Sequence, residues 1–343
     1  MHLAKLSIQE KIGQLLFIGL PGDSIDASTQ SLLEAVKPGG ICLFARNINS
    51  PAQVRGLNDE VRELLSIEPF LSIDQEGGLV DRLRRILAPM PAASQIATVA
   101  DAAAEASVIA QALRILGFNM DFAPVVDVID ADRERFQNGL HSRSYGKNAD
   151  DVIALAGEFL RVLEAGGIVG CIKHFPGLGA SEVDSHEELP IVPVQQNEFE
   201  EVDLKPYRSL ISEGGVKAVM VAHAVYPNLT LQEKGQDGKL LPSSLSSSIV
   251  TRLLRQEIGF DGLVLTDDLE MGAIVKNYGI GEASTMAVLA GHDMVCICAG
   301  IDSIHEAHSA ISAALASGKI SMERVDASVK RILRLKSELQ IPT

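Results

Sequence analysis

Eight short apolar runs recur along this chain of 343 residues, and longer amphipathic stretches separate them. The runs are Leu15–Ile18, Ile41–Phe44, Phe70–Ile73, Met120–Ala123, Val169–Ile172, Ala218–Ala222, Leu263–Leu265 and Met294–Ile297. Short β-branched runs that alternate with helical segments predict successive βα units and a parallel sheet. Eight such units match an α/β fold of the closed (β/α)8 TIM-barrel type, although periodicity alone also permits an open, doubly wound sheet.

Helices are predicted between the apolar runs. Three of them are followed within two residues by glycine, as is typical of helix C-termini, and they cover Ala102–Leu116, Asp151–Glu164 and Phe199–Ser212. A last helix begins after Ser321 and carries an apolar stripe that is expected to cover the barrel wall. No linker or low-complexity tract interrupts the chain, so we expect one domain over residues 1–343.

Composition restricts the partners and the compartment. The formal net charge of −15 disfavours nucleic acids and anionic membrane surfaces, which bind clustered cations. The four cysteines lie in apolar runs without metal-ligand spacing, which predicts reduced, buried thiols and no structural zinc. The N-terminal region lacks a secretory h-region, and no apolar segment approaches the roughly 20 residues that span a bilayer. We therefore expect a cytoplasmic protein that does not enter the membrane.

Polar residues follow several of the apolar runs, each within four residues of the end of its run. They are Asp74, Asp127, Lys173, His174, His223 and Asp267. In a parallel barrel the carboxyl ends of the strands share one mouth, so these side chains are expected to gather there. Asp268, by contrast, is interpreted as a turn former or a helix cap.

The segment from Lys173 to His186 combines cations, a Pro-Gly turn and a carboxylate near an imidazole. Asp184 and His186 are two residues apart, so on extended backbone both side chains project to one side. The carboxylate can then orient the imidazole and favour its charged form. This pairing predicts a proton donor that works near neutral pH.

Metal and nucleotide cofactors are not indicated. The histidines are dispersed, no His-x-His follows an early strand, and neither a Gly-x-Gly-x-x-Gly nor a Gly-x-x-x-x-Gly-Lys motif is present. The remaining set of carboxylates, cations and imidazole suits hydrogen bonding to a polyhydroxylated ligand and acid/base chemistry on it.

Six motifs together resemble glycoside hydrolase family 3, in its single-domain β-N-acetylhexosaminidase branch. They lie at Gly39–Asn47, Ile73–Gly78, Asn119–Asp127, Arg143–Gly146, Lys173–His186 and Thr266–Met271. The resemblance implies a retaining exo-β-N-acetylglucosaminidase that acts on N-acetylglucosamine-containing muropeptide fragments of peptidoglycan recycling. It also implies a monomer or weak homodimer without a cofactor.

The resemblance also implies roles for individual residues. Asp267 is the expected nucleophile, and His186 is the expected acid/base, assisted by Asp184. The expected sugar-binding residues are Asp74, Arg82, Arg143, Lys173 and His174.

The chain departs from the family pattern at two positions. Leu178 replaces a usual histidine and is expected to affect closure of the acid/base loop, whereas Leu79 replaces a usual arginine and is expected to affect packing below the site. Four other readings stay open: a β-glucosidase-type member, a phosphorolytic member, a Schiff-base aldolase that uses Lys173, and a noncatalytic sugar-binding barrel.

Overall fold

The fold is a closed barrel of eight parallel strands. A computed structural model describes residues 3–235 and 237–339. Each strand pairs with its neighbours along the chain, and the first strand also pairs with the last, with Phe17 opposite Cys296. The strands are Leu16–Gly19, Gly40–Leu43, Phe70–Ile73, Met120–Asp121, Val169–Phe175, Ala218–Val221, Leu263–Asp268 and Met294–Ile297. The predicted (β/α)8 barrel is confirmed, and the open sheet is excluded because the two edges meet.

Two strands run further than their apolar residues indicate. The fifth strand continues through Lys173 and His174 to Phe175, which pairs with Val221 of the sixth strand. The seventh strand continues through Asp267 and Asp268. Main-chain pairing does not depend on side-chain polarity, so these strands carry polar side chains into the mouth of the barrel.

Helices surround the barrel. The α-helices of seven residues or more are Ile8–Gln14, Ala27–Val36, Pro51–Leu64, Val99–Leu116, Ala149–Ala165, Lys205–Glu213, Ile280–Ala290, Ile301–Ala316 and Met322–Glu338. A π-helical segment, Ser248–Glu257, takes the corresponding place after the sixth strand. Short polar side chains cap several N-termini, as where Thr98 accepts a hydrogen bond from the amide of Asp101.

The helix predicted at Phe199–Ser212 is two segments in the structure. A π-helical turn covers Phe199–Asp203, and an α-helix follows at Lys205–Glu213. Pro206 lies at the start of the second segment, where its missing amide hydrogen is tolerated. The prediction missed this break because the apolar spacing continues through it.

The last helix closes the base of the barrel. Ser321 caps it as predicted, and Val325 and Val329 pack into the core between the helices and the barrel. Ile332 and Leu335 belong instead to the apolar cluster that fills the barrel interior. The helix therefore plugs the interior as well as covering the wall.

A buried lysine lies at this base. Lys336 Nζ donates a hydrogen bond to Gln14 Oε1 at 2.7 Å and lies 5.1 Å from the centroid of the Phe70 ring. Burial lowers the pKa of Lys336 to about 7. The last helix is thus joined to the helix Ile8–Gln14 at the closed end of the barrel.

Within the part of the chain that the structure describes, no helix combines the length and the apolar character needed to cross a bilayer.

Candidate active site

A cavity of about 320 Å³ opens at the carboxyl ends of the barrel strands. All eight side chains expected at the site line it: Asp74, Arg82, Arg143, Lys173, Asp184, His174, His186 and Asp267. They come from separate strands and from the loops that follow them, as the shared mouth of a parallel barrel requires. The prediction that the polar strand ends gather at one place is confirmed for Asp74, Lys173, His174 and Asp267.

Lys173 and His174 both reach the cavity although they are consecutive. Neighbouring residues of a regular strand project to opposite sides. Here the pairing register between the fifth and sixth strands shifts between Ile172 and Phe175, which breaks that alternation. The irregular strand end therefore presents two functional side chains where a regular one would present one.

Lys173 lies between two carboxylates. Its Nζ is 2.8 Å from Asp74 Oδ1 and 2.6 Å from Glu76 Oε1. Burial alone would lower the pKa of Lys173, but Asp74 and Glu76 outweigh it and raise the pKa above its ordinary value. Lys173 is therefore a firmly charged ammonium.

Glu76 is a site residue that the sequence analysis did not assign. It is buried and accepts two hydrogen bonds from Arg143 in addition to its contact with Lys173. Burial would raise the pKa of Glu76, but Arg143 and Lys173 hold it well below its ordinary value. The sequence feature that could have identified Glu76 is its place in the Ile73–Gly78 motif, three residues after the end of the third strand.

The backbone after Glu76 requires glycine. Gly77 has a φ of 82°, and a Cβ atom there would lie 2.1 Å from the carbonyl oxygen of Pro91. This turn belongs to a two-stranded hairpin, Gln75–Gly77 with Val80–Asp81, which folds over the barrel mouth. The hairpin brings Glu76 and Arg82 to the same cavity.

Asp127 orients His174. Its Oδ2 lies 2.7 Å from His174 Nδ1, and its Oδ1 accepts a hydrogen bond from the amide of Leu178 at 2.6 Å. A proton on Nδ1 satisfies this contact and leaves Nε2, which is 3.4 Å from Arg143 Nη2, as the acceptor. Asp127 was flagged as a strand-end residue, but its partner could not be read from the sequence.

Asp267 is an ionised carboxylate at the end of the seventh strand. Burial would raise its pKa, yet the neighbouring imidazoles of His174 and His223, the Asp268 amide and Lys173 lower it below the ordinary value. Burial lowers the pKa of His223. The Asp268 amide donates to Asp267 Oδ1 at 2.8 Å.

Asp268 has a different environment. Its Oδ1 accepts hydrogen bonds from the amides of Glu270 and Cys298, at 3.0 and 3.3 Å. Burial raises its pKa to about 7. These contacts agree with its interpretation as a turn former, and they also tie the seventh strand to the segment after the eighth.

The acid/base pair expected from the sequence lies on a loop at the rim. His186 Nδ1 is 2.7 Å from Asp184 Oδ1, and the same oxygen accepts the His186 amide at 2.9 Å. The His186 side chain is 69% exposed, whereas that of His174 is 6% exposed. One imidazole is therefore fixed in the wall and the other stands at the solvent side of the cavity.

The loop is attached to the segment that follows Asp267. The amides of Gly272 and Ala273 donate to the carbonyl oxygens of His186 and Ser185, at 3.1 and 3.2 Å. A Cβ atom at Gly272 would lie 2.5 Å from the carbonyl oxygen of Glu187. Glycine at this position allows the loop to approach the chain that carries the carboxylate.

The two departures from the family pattern differ in their surroundings. Leu178 is buried in the cavity wall, beside the Asp127–His174 pair. Leu79 is 70% exposed at the tip of the hairpin, so the expectation that it packs below the site is wrong. A turn residue between two short strands points outward, which the sequence motif did not reveal.

Arg82 reaches the cavity from the hairpin. Its Nη2 lies 3.7 Å from Asp74 Oδ2, and its guanidinium carbon lies 5.8 Å from the Phe44 ring centroid. Arg46 lies over the same ring at 4.7 Å. Two guanidinium groups thus flank one aromatic side chain at the mouth.

Within residues 3–235 and 237–339, no group of three or more His, Cys, Asp or Glu side chains is arranged to hold a metal ion.

Comparison with known proteins gives one consistent family. The model of the "Glycosyl hydrolase family 3 N terminal domain" matches residues 7–335. The beta-hexosaminidase of Neisseria meningitidis serogroup C is 34% identical over 278 residues, which cover 78% of this chain and 73% of the relative. That of Pseudomonas aeruginosa strain LESB58 is 34% identical over 293 residues and 82% of each chain.

Solved structures agree. A family 3 β-N-acetylglucosaminidase from Paenibacillus sp. str. FPU-7 superposes with a TM-score of 0.91 at 37% identity, over 98% of this chain but 63% of the other. A family member from Mycobacterium smegmatis superposes with a TM-score of 0.85 at 32% identity, over 97% and 98% of the two chains. The chain belongs to glycosyl hydrolase family 3 and is a glycoside hydrolase.

Proposed function

We propose that this chain is a retaining exo-β-N-acetylglucosaminidase that removes a terminal, non-reducing β-N-acetylglucosamine. One observation carries the proposal: an ionised carboxylate, Asp267, and a carboxylate-paired imidazole, His186, line the same cavity. Beta-hexosaminidases and a β-N-acetylglucosaminidase among the similar proteins support this choice of sugar.

Asp267 is the proposed nucleophile. Its carboxylate oxygen attacks C1 of the bound sugar, the bond from C1 to the leaving oxygen breaks, and a glycosyl ester forms on Asp267. A carboxylate can act so only when ionised, and the surroundings of Asp267 hold its pKa below the ordinary value. The elevated pKa of Asp268, about 7, and its two backbone contacts favour Asp267 over its neighbour.

His186 is the proposed acid/base. Protonated His186 gives a proton to the leaving oxygen, and the neutral imidazole then takes a proton from the water that cleaves the ester. Asp184 holds Nδ1, so Nε2 is the nitrogen left for proton transfer. The exposed position of His186 at the rim suits contact with a leaving group that departs toward solvent.

The charged network in the wall is the proposed sugar-binding surface. Asp74, Lys173, Arg143 and His174 offer fixed acceptors and donors at known positions, held by Glu76 and Asp127. Charge-assisted hydrogen bonds to hydroxyl groups are stronger than neutral ones and fix the orientation of a ring. The buried end of the cavity is proposed to hold the terminal, non-reducing sugar, so that cleavage releases one sugar from the end of the substrate.

The proposed leaving group is an acidic muropeptide fragment. The chain carries a net charge of −15, yet Arg46 and Arg82 flank Phe44 at the mouth. Arg85 lies close by, with Nη1 3.5 Å from the carbonyl oxygen of Ala45. Guanidinium groups bind carboxylates well, and a muropeptide carries carboxylates next to the sugar that is released.

The experiment uses nitrophenyl β-N-acetylglucosaminide, the matching β-glucoside, and a disaccharide muropeptide. We expect cleavage of the first and third with release of the β-anomer, observed by proton NMR before mutarotation. Preferential cleavage of the β-glucoside would favour the glucosidase reading, and release of a sugar 1-phosphate in phosphate buffer would favour phosphorolysis. Binding of N-acetylglucosamine without cleavage of any of the three substrates would favour a noncatalytic sugar-binding protein.

A Schiff-base aldolase is disfavoured. An amine nucleophile must lose its proton, but the Asp74 and Glu76 carboxylates raise the pKa of Lys173 above its ordinary value. Borohydride is expected to trap no carbonyl substrate on Lys173, which a mass measurement of the intact chain checks.

A further inference from the structure

Three of the four cysteines line the same cavity as Asp267: Cys42, Cys296 and Cys298. We propose that Cys42 and Cys298 form a two-thiol site that binds trivalent arsenicals from the cavity. The proposed catalytic roles make no use of these thiols. Binding of an arsenical at this site does not require catalytic activity. The expectation that the bound arsenical inhibits the enzyme rests on the proposed function.

The strand register brings the two thiols together. The first strand lies between the second and the eighth, with Gly19 opposite Cys42 and Ile18 opposite Ile297. Cys298 follows Ile297 and therefore stands beside Gly19. Cys42 and Cys298 both belong to the cluster inside the barrel, so their side chains point inward on either side of the first strand.

Glycine on the middle strand lets Cys298 lie close to that strand. A Cβ atom at Gly19 would lie 2.1 Å from the carbonyl oxygen of Cys298. Glycine at that position therefore leaves room for the main chain that carries Cys298. The Cys42 side chain is the largest cause that raises the pKa of Cys298 well above its ordinary value, and burial adds to it.

The backbone of Cys298 is held from two sides. Its amide donates to Asp268 Oδ1 at 3.3 Å, and its carbonyl oxygen accepts from Arg46 Nη2 at 2.5 Å. Two thiols that are already held in place lose little conformational entropy when both bind the same arsenic atom. This favours one ligand bound by both thiols over two ligands bound by one thiol each. The exposed fractions of Cys42 and Cys298 are 1% and 5%, so a reagent reaches them through the cavity.

The chemistry is a condensation without electron transfer. A monosubstituted arsenic(III) oxide loses its oxygen, two As–S bonds form, and the two thiol protons leave with that oxygen as one molecule of water. The oxidation state of arsenic and of sulfur does not change. Protonated thiols are poor nucleophiles on their own, so the second As–S bond is what retains the ligand.

The test is phenylarsine oxide on the folded full chain. After incubation the protein is washed with an excess of a monothiol, which removes arsenic bound to one cysteine, and its intact mass is measured. We expect one retained phenylarsine per chain and its release by 2,3-dimercaptopropanol. Peptide mapping should place the arsenic between the peptides that carry Cys42 and Cys298.

Single substitutions assign the site. Cys42→Ser and Cys298→Ser should each lose the retained adduct, whereas Cys296→Ser, the matched control in the same cavity, should keep it. Thermal unfolding checks that each variant is folded, and the alanine variants repeat the measurement for any serine variant that is not. No retained adduct on the unmodified chain, or retention by either Cys42→Ser or Cys298→Ser, would overturn the proposal. An adduct on a chain without glycosidase activity would refute the proposed function and leave this site intact.

Discussion

Glu76 accepts two hydrogen bonds from Arg143, with Nε 2.7 Å from Oε2 and Nη2 2.8 Å from Oε1. The same carboxylate lies 2.6 Å from Lys173 Nζ. One buried anion therefore fixes two cations of the cavity wall. Without it, Arg143 and Lys173 would repel each other in a site largely removed from water.

Glu76→Gln is expected to destabilise the fold and weaken sugar binding. Removal of one partner from a buried ion pair typically costs about 3–5 kcal/mol, because the remaining charges are left uncompensated. Urea unfolding measures the loss, and KM for the nitrophenyl glycoside measures binding. Glu158→Gln is the matched control, since Glu158 holds Arg161 with similar geometry at the surface. Equal effects of the two substitutions would contradict this account.

Asp267→Ala is expected to abolish turnover and covalent labelling by a 5-fluoro glycosyl fluoride of the N-acetylglucosamine series. The ester cannot form without the carboxylate. Mass spectrometry of the labelled chain and of its peptides gives the result. Asp268→Asn should still accept the label on Asp267, and a label that persists in Asp267→Ala would move the nucleophile elsewhere.

His186→Ala is expected to slow cleavage of a disaccharide substrate by roughly 10²–10⁴, the usual loss for an acid/base group. The loss should be smaller for a dinitrophenyl glycoside, because that leaving group needs no proton. Initial rates on the two substrates make the comparison. His141→Ala, an exposed histidine outside the cavity, should leave both rates unchanged. An equal loss on both substrates would rule out the donor role.

Glu105→Gln is expected to stabilise the protein at high pH. Glu105 is buried on the helix Val99–Leu116, and within the described residues neither of its carboxyl oxygens has a hydrogen-bond partner. Burial, with a contribution from Asp81, raises its pKa to about 8. In the unfolded chain Glu105 loses this proton near pH 4.3. The contribution of protonated Glu105 to the free energy of unfolding is therefore fully present below that pH, and it is lost as the pH rises toward about 8.

Urea unfolding at two pH values checks this prediction. Glu105→Gln and the unmodified chain should have similar unfolding free energies near pH 4, and the variant should be the more stable near pH 8. A constant difference across this range would show that Glu105 is ionised in the folded protein.

The strands could be predicted from sequence because each buried strand of a parallel barrel is a short apolar run between helices. The site could be predicted in part, since strand ends such as Asp74 and Asp267 converge by topology alone. Glu76 could not be assigned in this way, because the hairpin after the third strand turns it back toward the cavity. The partnership of Asp127 with His174 spans 47 positions and depends on a contact that local patterns do not encode.

The position of Lys173 and His174 shows the same limit. Regular alternation would direct one of them away from the cavity, whereas both line it at the irregular end of the fifth strand. The resemblance to the family identified them, whereas strand periodicity did not.

The plug formed by Ile332 and Leu335 has a consequence for biosynthesis. Lys11 Nζ lies 2.7 Å from Asp326 Oδ1, and Lys336 contacts Gln14, so the helix that fills the base of the barrel is held to the helix Ile8–Gln14, which is translated before all eight strands. A nascent chain in which all eight strands have been translated still lacks the two side chains, Ile332 and Leu335, that fill the base of the barrel. Assembly of the lumen is therefore completed only when the ribosome has delivered the segment Met322–Glu338.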